Sequence, residues 1–162
     1  MNLIKKGLDK VLSLFCIGLF GFLVLLVTWQ VFTRFVLNDP SVISEELAKY
    51  CFVWLVLFGA AYVFGEKGHM SIEFIKHTFP QKWQLGADIT IEVVIIVFAI
   101  CALVMGGYNA TSLAWTQMAA ALQIPVGYLY AAMPLSGLCI VFYCLHNIYH
   151  LIKQGVPQAK KA

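Results

Sequence analysis

The sequence predicts an all-α integral membrane protein of four transmembrane helices, with both termini on the cytoplasmic side, and three observations carry that prediction. Hydrophobic residues make up 61% of the 162-residue chain and charged residues only 12%, about half the share usual in soluble domains. The apolar residues gather into runs long enough to cross hydrocarbon, which takes about 20 residues of helix. With four crossings, nine of the eleven basic residues (Lys5, Lys6, Lys10, Lys67, Lys76, Lys82, Lys153, Lys160 and Lys161) fall on one side and only Arg34 and Lys49 on the other. That is the asymmetry expected of cytoplasmic loops. Residues 1–162 read as a single transmembrane domain. The net charge of +3 is then a collar that suits anionic membrane lipids at the inner surface and gives no reason to invoke nucleic acid.

The first span is expected at residues 11–33, aliphatic and aromatic, with Gly18 and Gly21 as small interruptions and Trp29 anchored near the outer interface. Its apolar run exceeds the roughly 7 to 15 residues of a signal-peptide core and no small-x-small cleavage site follows, so it reads as a retained helix. Asn38-Asp39-Pro40 then turns the chain. An Asp N-cap followed by Pro at the first helical position is a helix-start signal, and it places Asp39 as the cap of the second span, residues 46–64. Over residues 71–79, Ile72, Ile75 and Phe79 share one helical face while Glu73, Lys76 and His77 share the other. This predicts a short amphipathic helix in the inner interface, stopped by Pro80. From Val93 to Ile152 there is no lysine, arginine, aspartate or glutamate, too long a stretch for one crossing. Thr, Ser, Gln and Pro gather between Thr111 and Pro125, which divides it into a third span at 89–110 and a fourth at 127–150.

Small residues recur at four-residue spacing in these last two spans: Ala102, Gly106 and Ala110 on the third, Gly127 with Ala131 and Ala132 with Ser136 on the fourth. Such rows let helices approach closely in lipid. The five cysteines are odd in number, lack CxxC spacing and all fall within spans, so they read as soft apolar fillers.

Charge variety concentrates in residues 34–77. Arg34, Glu45, Glu46 and Lys49 cluster at the outer end of the first two spans, and Glu45 with Lys49 makes a favourable i, i+4 pair. The uncharged part of the second span, residues 50–64, covers only about 22 Å at 1.5 Å per residue, so Glu46 and Lys49 lie near the hydrocarbon boundary. A charge at mid-bilayer costs about 2.5 to 3.5 kcal/mol on insertion scales. Two readings stay open: an ion network satisfied within the chain, or a docking surface for another subunit. Asp88 and Glu92 are like-charged at i, i+4, offset either by the N-terminal dipole of the third helix or by a partner's cation. His146 and His150 share a face, but no third metal ligand stands at telling spacing. There is no Walker loop, no GxSxG, no nucleophile with a base, no charged pair at mid-span and no broken helix pair. Neither an enzyme nor a bound cofactor is expected. The chain reads as a component that accompanies a transport machine.

Arg34, the run EELAKYCFVWLVLFGAAYVF at 45–64, Lys67, His69 and the segment IEFI closing at Phe79-Pro80 together resemble the small, DctQ-like membrane subunit of tripartite ATP-independent periplasmic (TRAP) transporters. The resemblance covers four helices and nearly the whole length. Arg34, Glu46, Trp54, Gly59 and His69 match the family's recurrent residues; Lys49 stands where arginine is frequent and Glu73 where aspartate is frequent. The sequence departs from the pattern in having Ile43-Ser44 where a tryptophan often precedes the acidic pair, and Glu66 within the basic run before His69. The resemblance implies a bacterial inner-membrane complex. A soluble periplasmic protein captures an organic acid, a C4-dicarboxylate or a sialic-acid-like solute, a large subunit moves it with a sodium gradient, and the small subunit packs beside the large one's scaffold. Its overall look leans toward the sialic-acid branch. A haem-oxidoreductase anchor would need axial histidines near the membrane core, and a small self-assembling exporter would need a charged or aromatic-lined interior; these are the rival classes.

Overall fold

The computed structural model describes residues 2–66 and 81–154, and outside the turns and one isolated β-bridge these are helical. The first helix runs Asn2–Phe35 and the second Val42–Gly65. The third begins as the α-helix Gln81–Phe98, passes through a π-helical segment Ala99–Gly106 and continues as the α-helix Gly107–Ala114. The fourth starts with the short turn Gly127–Tyr130, breaks at Ala131 and resumes as Ala132–Gln154. Four stretches are long and apolar enough to span a membrane: Ile4–Phe35, Val42–Gly65, Gly86–Ala114 and Gly127–Lys153. The four expected spans are all present, each reaching a few residues beyond its expected bounds or matching them. The expected amphipathic helix at 71–79, with His69 and Glu73, lies outside the described residues.

The fourth span is the centre of the bundle, flanked by the second and the third, and the first packs along the second. A third of the most apolar window of the fourth span is buried, against 6% for the first. Most of the first span's aliphatic and aromatic side chains face outward, as they must in a helix solvated by lipid or by another subunit. Two apolar clusters fill the bundle. Leu12, Phe58, Ala132 and Tyr143 join the first, second and fourth spans, and Ala61, Ala99, Ile140 and Cys144 join the second, third and fourth. All five cysteines are free thiols.

The turn between the first two spans differs from expectation. Asn38 adopts a left-handed conformation (φ 52°) and the Asp39 N–H donates to the Thr33 carbonyl at 3.2 Å, a helix-ending arrangement in which Asn tolerates positive φ. Asp39 therefore terminates the first helix, and Ser41 caps the second by accepting from the Ser44 N–H at 3.4 Å. The second helix begins at Val42, so its N-cap position falls on Ser41, two residues beyond Asp39.

The small-residue row on the third span is offset by one position. A Cβ on Gly106 would meet nothing closer than the Cys101 carbonyl at 3.5 Å, whereas one on Gly107 would lie 2.8 Å from Met133 Cβ and 2.9 Å from Pro134 Cδ. The face that packs on the fourth span runs through Ala99, Leu103 and Gly107, with Ala102 and Ala110 only half-buried. The π-helical segment is the reason. Its hydrogen bonds span one more residue than an α-turn, and the wider turn rotates everything downstream relative to an α-ladder. On the fourth span Ala132 and Ser136 are fully buried, and Gly127 lets the Trp115 ring approach so closely that no Cβ would fit. Ala131, at the break, is only half-buried.

Candidate functional site

Polar side chains are gathered at the two ends of the bundle. At the end remote from Lys5 and Lys153, the chain between the third and fourth spans folds back on itself. The Val126 N–H donates to the Gln117 carbonyl at 2.8 Å and the Ala119 N–H to the Ile124 carbonyl at 2.9 Å. Within this hairpin, the Gln123 N–H donates to the Ala119 carbonyl at 3.1 Å, a single helical turn closed by Gln123 at φ 54°. The leading N–H groups of any helical turn lack partners within it. Here a carboxylate from another span supplies them. Glu46 accepts from the backbone N–H of Ala120 at 3.1 Å through Oε1, and from those of Ala121 at 2.8 Å and Leu122 at 2.7 Å through Oε2. Three charge-assisted bonds from consecutive amides fix both the carboxylate and the turn.

The four charges expected to cluster at this end are thus divided. Glu45 and Lys49 form the expected i, i+4 ion pair at 2.9 Å, exposed on both sides. Glu46 turns to the hairpin. Arg34 is exposed, makes no salt bridge among the described residues and lies 5.9 Å from the Phe35 ring. The reason is a matter of supply: unpaired backbone donors compete for Glu46 and can offer three bonds where one lysine offers a single flexible ammonium. Below this layer the Trp54 indole N–H donates to the Tyr128 carbonyl at 3.0 Å, just ahead of the break at Ala131. Trp54 also stacks on Phe58 at a centroid distance of 5.5 Å, so it ties the second span to the start of the fourth. Gly59, by contrast, has open space where its Cβ would be. No close approach among the described residues requires it.

At the lysine-rich end, residues that sequence reasoning passed over carry the connections. The fully buried Tyr143 donates its hydroxyl to Asp9 Oδ1 at 2.7 Å, and Lys5 lies 3.8 Å from the same carboxylate. The Tyr143 ring sits against Gly65, where a Cβ would come within 2.6 Å of it. Tyr62 donates to Glu66 at 2.6 Å. Asp9 could have been noticed as the one carboxylate amid the N-terminal lysines, but nothing in the sequence points it at Tyr143. Glu92 is buried and accepts from Asn147 Nδ2 at 3.2 Å, which revises the expectation of a helix-dipole site. The helix starts at Gln81, so Glu92 lies beyond the first turn over which the dipole acts. His146 is buried and its ring lies 4.5 Å from that of His150.

Between the Glu46 layer and the Glu92 layer no charged side chain is buried among the described residues. The buried polar group there, Ser136, bonds back to the Met133 carbonyl of its own helix at 3.0 Å. What the arrangement can do is hold four helices and an outer hairpin together; among the described residues the buried polar groups lie mainly in two end layers.

Residues 23–154 match the family described as tripartite ATP-independent periplasmic transporters, DctQ component. The chain is 29% identical over 153 residues to the sialic acid TRAP transporter small permease protein SiaQ of Vibrio cholerae, covering 94% of this chain and 88% of that one. It is 27% identical over 158 residues to a putative TRAP transporter small permease protein of Haemophilus influenzae, covering 94% and 92%. A further match, 25% identical over 126 residues, is to the sialic acid TRAP transporter permease protein SiaT of Haemophilus influenzae, where it takes in 78% of this chain but 20% of that one. With four membrane-spanning helices and a family match over most of its length, the chain belongs to the DctQ family and is a multi-pass small permease component of a TRAP transporter in the bacterial inner membrane.

Proposed function

We propose that this subunit is the non-translocating scaffold of a sodium-driven importer of an organic acid of the sialic-acid class. A soluble binding protein delivers the acid on the periplasmic side, and a larger permease carries it through the membrane. The observation that supports this most directly is the interior between the two polar layers, where the described residues bury alanine, phenylalanine and isoleucine and no charge. A solute carrying a carboxylate requires a polar site near the midplane. The relative SiaT supports a large-permease partner, because a segment similar to this chain makes up a fifth of that longer permease. Covalent union of two such parts favours their working as one unit. The outward-facing apolar surface of the first span supplies area for such a contact. In this reading the lysine-rich end is cytoplasmic, and Glu46 with its hairpin faces the periplasm.

Uptake by proteoliposomes tests the proposal. The purified chain alone is expected to transport no labelled sialic acid, and the chain with its large permease and loaded binding protein is expected to do so only with an inward sodium gradient. Uptake by the isolated chain would overturn the scaffold assignment; sodium-independent uptake by the full complex would overturn the coupling. Impermeant thiol labelling of cysteines placed at Gln117 and Lys153 should find them on opposite sides.

A further inference from the structure

At the lysine-rich end the third and fourth spans are joined by a side-chain pair whose hydrogen bonds do not balance. Asn147 is 2% exposed and Glu92 9%. Asn147 Nδ2 donates to Glu92 Oε1 at 3.2 Å. The other terminal atoms of both side chains, Glu92 Oε2 and Asn147 Oδ1, are buried without a partner. An amide oxygen can only accept, and so can an ionised carboxylate. Two acceptors therefore face a common need for a donor, and no lysine or arginine forms a salt bridge with Glu92 among the described residues.

We infer that Glu92 is a buried proton-binding site, its carboxyl holding a proton on Oε2 and donating it to Asn147 Oδ1 so that the two side chains close a cyclic acid–amide pair. One proton supplies both orphaned atoms at once. The Cys144 thiol on the fourth span lies against Glu92, but a weak S–H donor spent on the carboxyl leaves Asn147 Oδ1 still unpaired. The second span brings only Ala61 and Phe64 to the adjoining cluster. On the third span itself Asp88 lies one turn away. His146, next to Asn147 in sequence, is buried on the fourth span as well. Inside a membrane-embedded bundle a neutral acid avoids the cost of a buried charge, and the pair becomes an uncharged strut that fixes the third span to the fourth at this end.

Glu92→Gln tests the inference, because the amide reproduces the protonated acid: Gln Nε2 donates to Asn147 Oδ1 while Gln Oε1 accepts from Nδ2. The full-length chain in detergent should melt at the wild-type temperature or above as E92Q, and well below it as Glu92→Ala. Infrared spectra at neutral pH should show a protonated-carboxyl C=O band in the wild type that is absent from E92Q and shifted in Asn147→Leu, where the acid loses its amide partner. Three results would overturn the assignment: E92Q melting as low as E92A, no difference in that band between wild type and E92Q, or a melting point raised by sodium in the wild type but not in E92Q, which marks a metal-cation site instead. The infrared comparison of wild type with N147L decides the matter even where E92Q fails to fold.

Discussion

Two adjacent glycines on the third span separate the π-helical register from an ordinary α-helical one. Changing Gly107 to Ala places a Cβ 2.8 Å from Met133 Cβ, 2.9 Å from Pro134 Cδ and 3.1 Å from Pro134 N. These atoms belong to a β-carbon, a proline ring and the main chain, so none can rotate out of the way and the two helices must part. Overpacking of this kind costs about 1 to 3 kcal/mol. Changing Gly106 to Ala meets only ordinary contact at 3.5 Å. Both variants gain the roughly 1 kcal/mol by which alanine exceeds glycine in helix propensity, so the gain cancels when one is compared with the other. The difference between them is then about 1 to 3 kcal/mol, with Gly106→Ala the more stable and close to or above wild type. At roughly 2 to 4 °C per kcal/mol for a chain of this size, the melting midpoints should differ by about 2 to 12 °C. The assay is thermal unfolding in detergent by circular dichroism, with both variants and the wild type side by side. A lower midpoint for Gly106→Ala than for Gly107→Ala would refute the register and restore the row through Ala102, Gly106 and Ala110 as the packing face.

The remaining predictions concern the two polar layers. Glu46→Ala should release the outer hairpin, so that amide hydrogen exchange at Ala120, Ala121 and Leu122, the three donors to its carboxylate, accelerates while amides of the four spans keep their protection; unchanged exchange there would show that the carboxylate does not hold the turn. Tyr143→Phe removes the hydroxyl that Asp9 accepts and should destabilise the bundle by about 1.5 to 3 kcal/mol, the range for a hydrogen bond to a charged group. Asp9→Asn in that background should then cost little more, as a double-mutant cycle read by thermal unfolding would reveal. Trp54→Phe keeps the ring stacking but deletes the donor to the Tyr128 carbonyl, with an expected loss of about 0.5 to 1.5 kcal/mol, and a neutral effect would mean the indole contributes by packing alone.

Span number and composition were legible in the sequence because hydropathy is additive along the chain: each window of about 20 residues reports on its own solvent without reference to any other. Glu45 with Lys49 was legible for a similar reason, since helical geometry alone brings i and i+4 together. The partners of Glu46 were not. They are backbone amides 74 to 76 residues away, and a main-chain donor leaves no mark in a residue string because every residue other than proline has one. Likewise the sequence held two neighbouring glycines with no sign of which would face the fourth span, until a π-helical turn rotated Gly107 inward. Asp9 and Tyr143 lie 134 residues apart, and Glu92 meets Asn147 across 55. Such pairs exist only after the first and third spans have docked on the fourth, so the number of helices and their lipid-facing character belong to the sequence alone. Which buried polar atoms find partners was decided by packing, because a hydrogen bond needs two groups within about 3 Å and only the tertiary structure sets that distance.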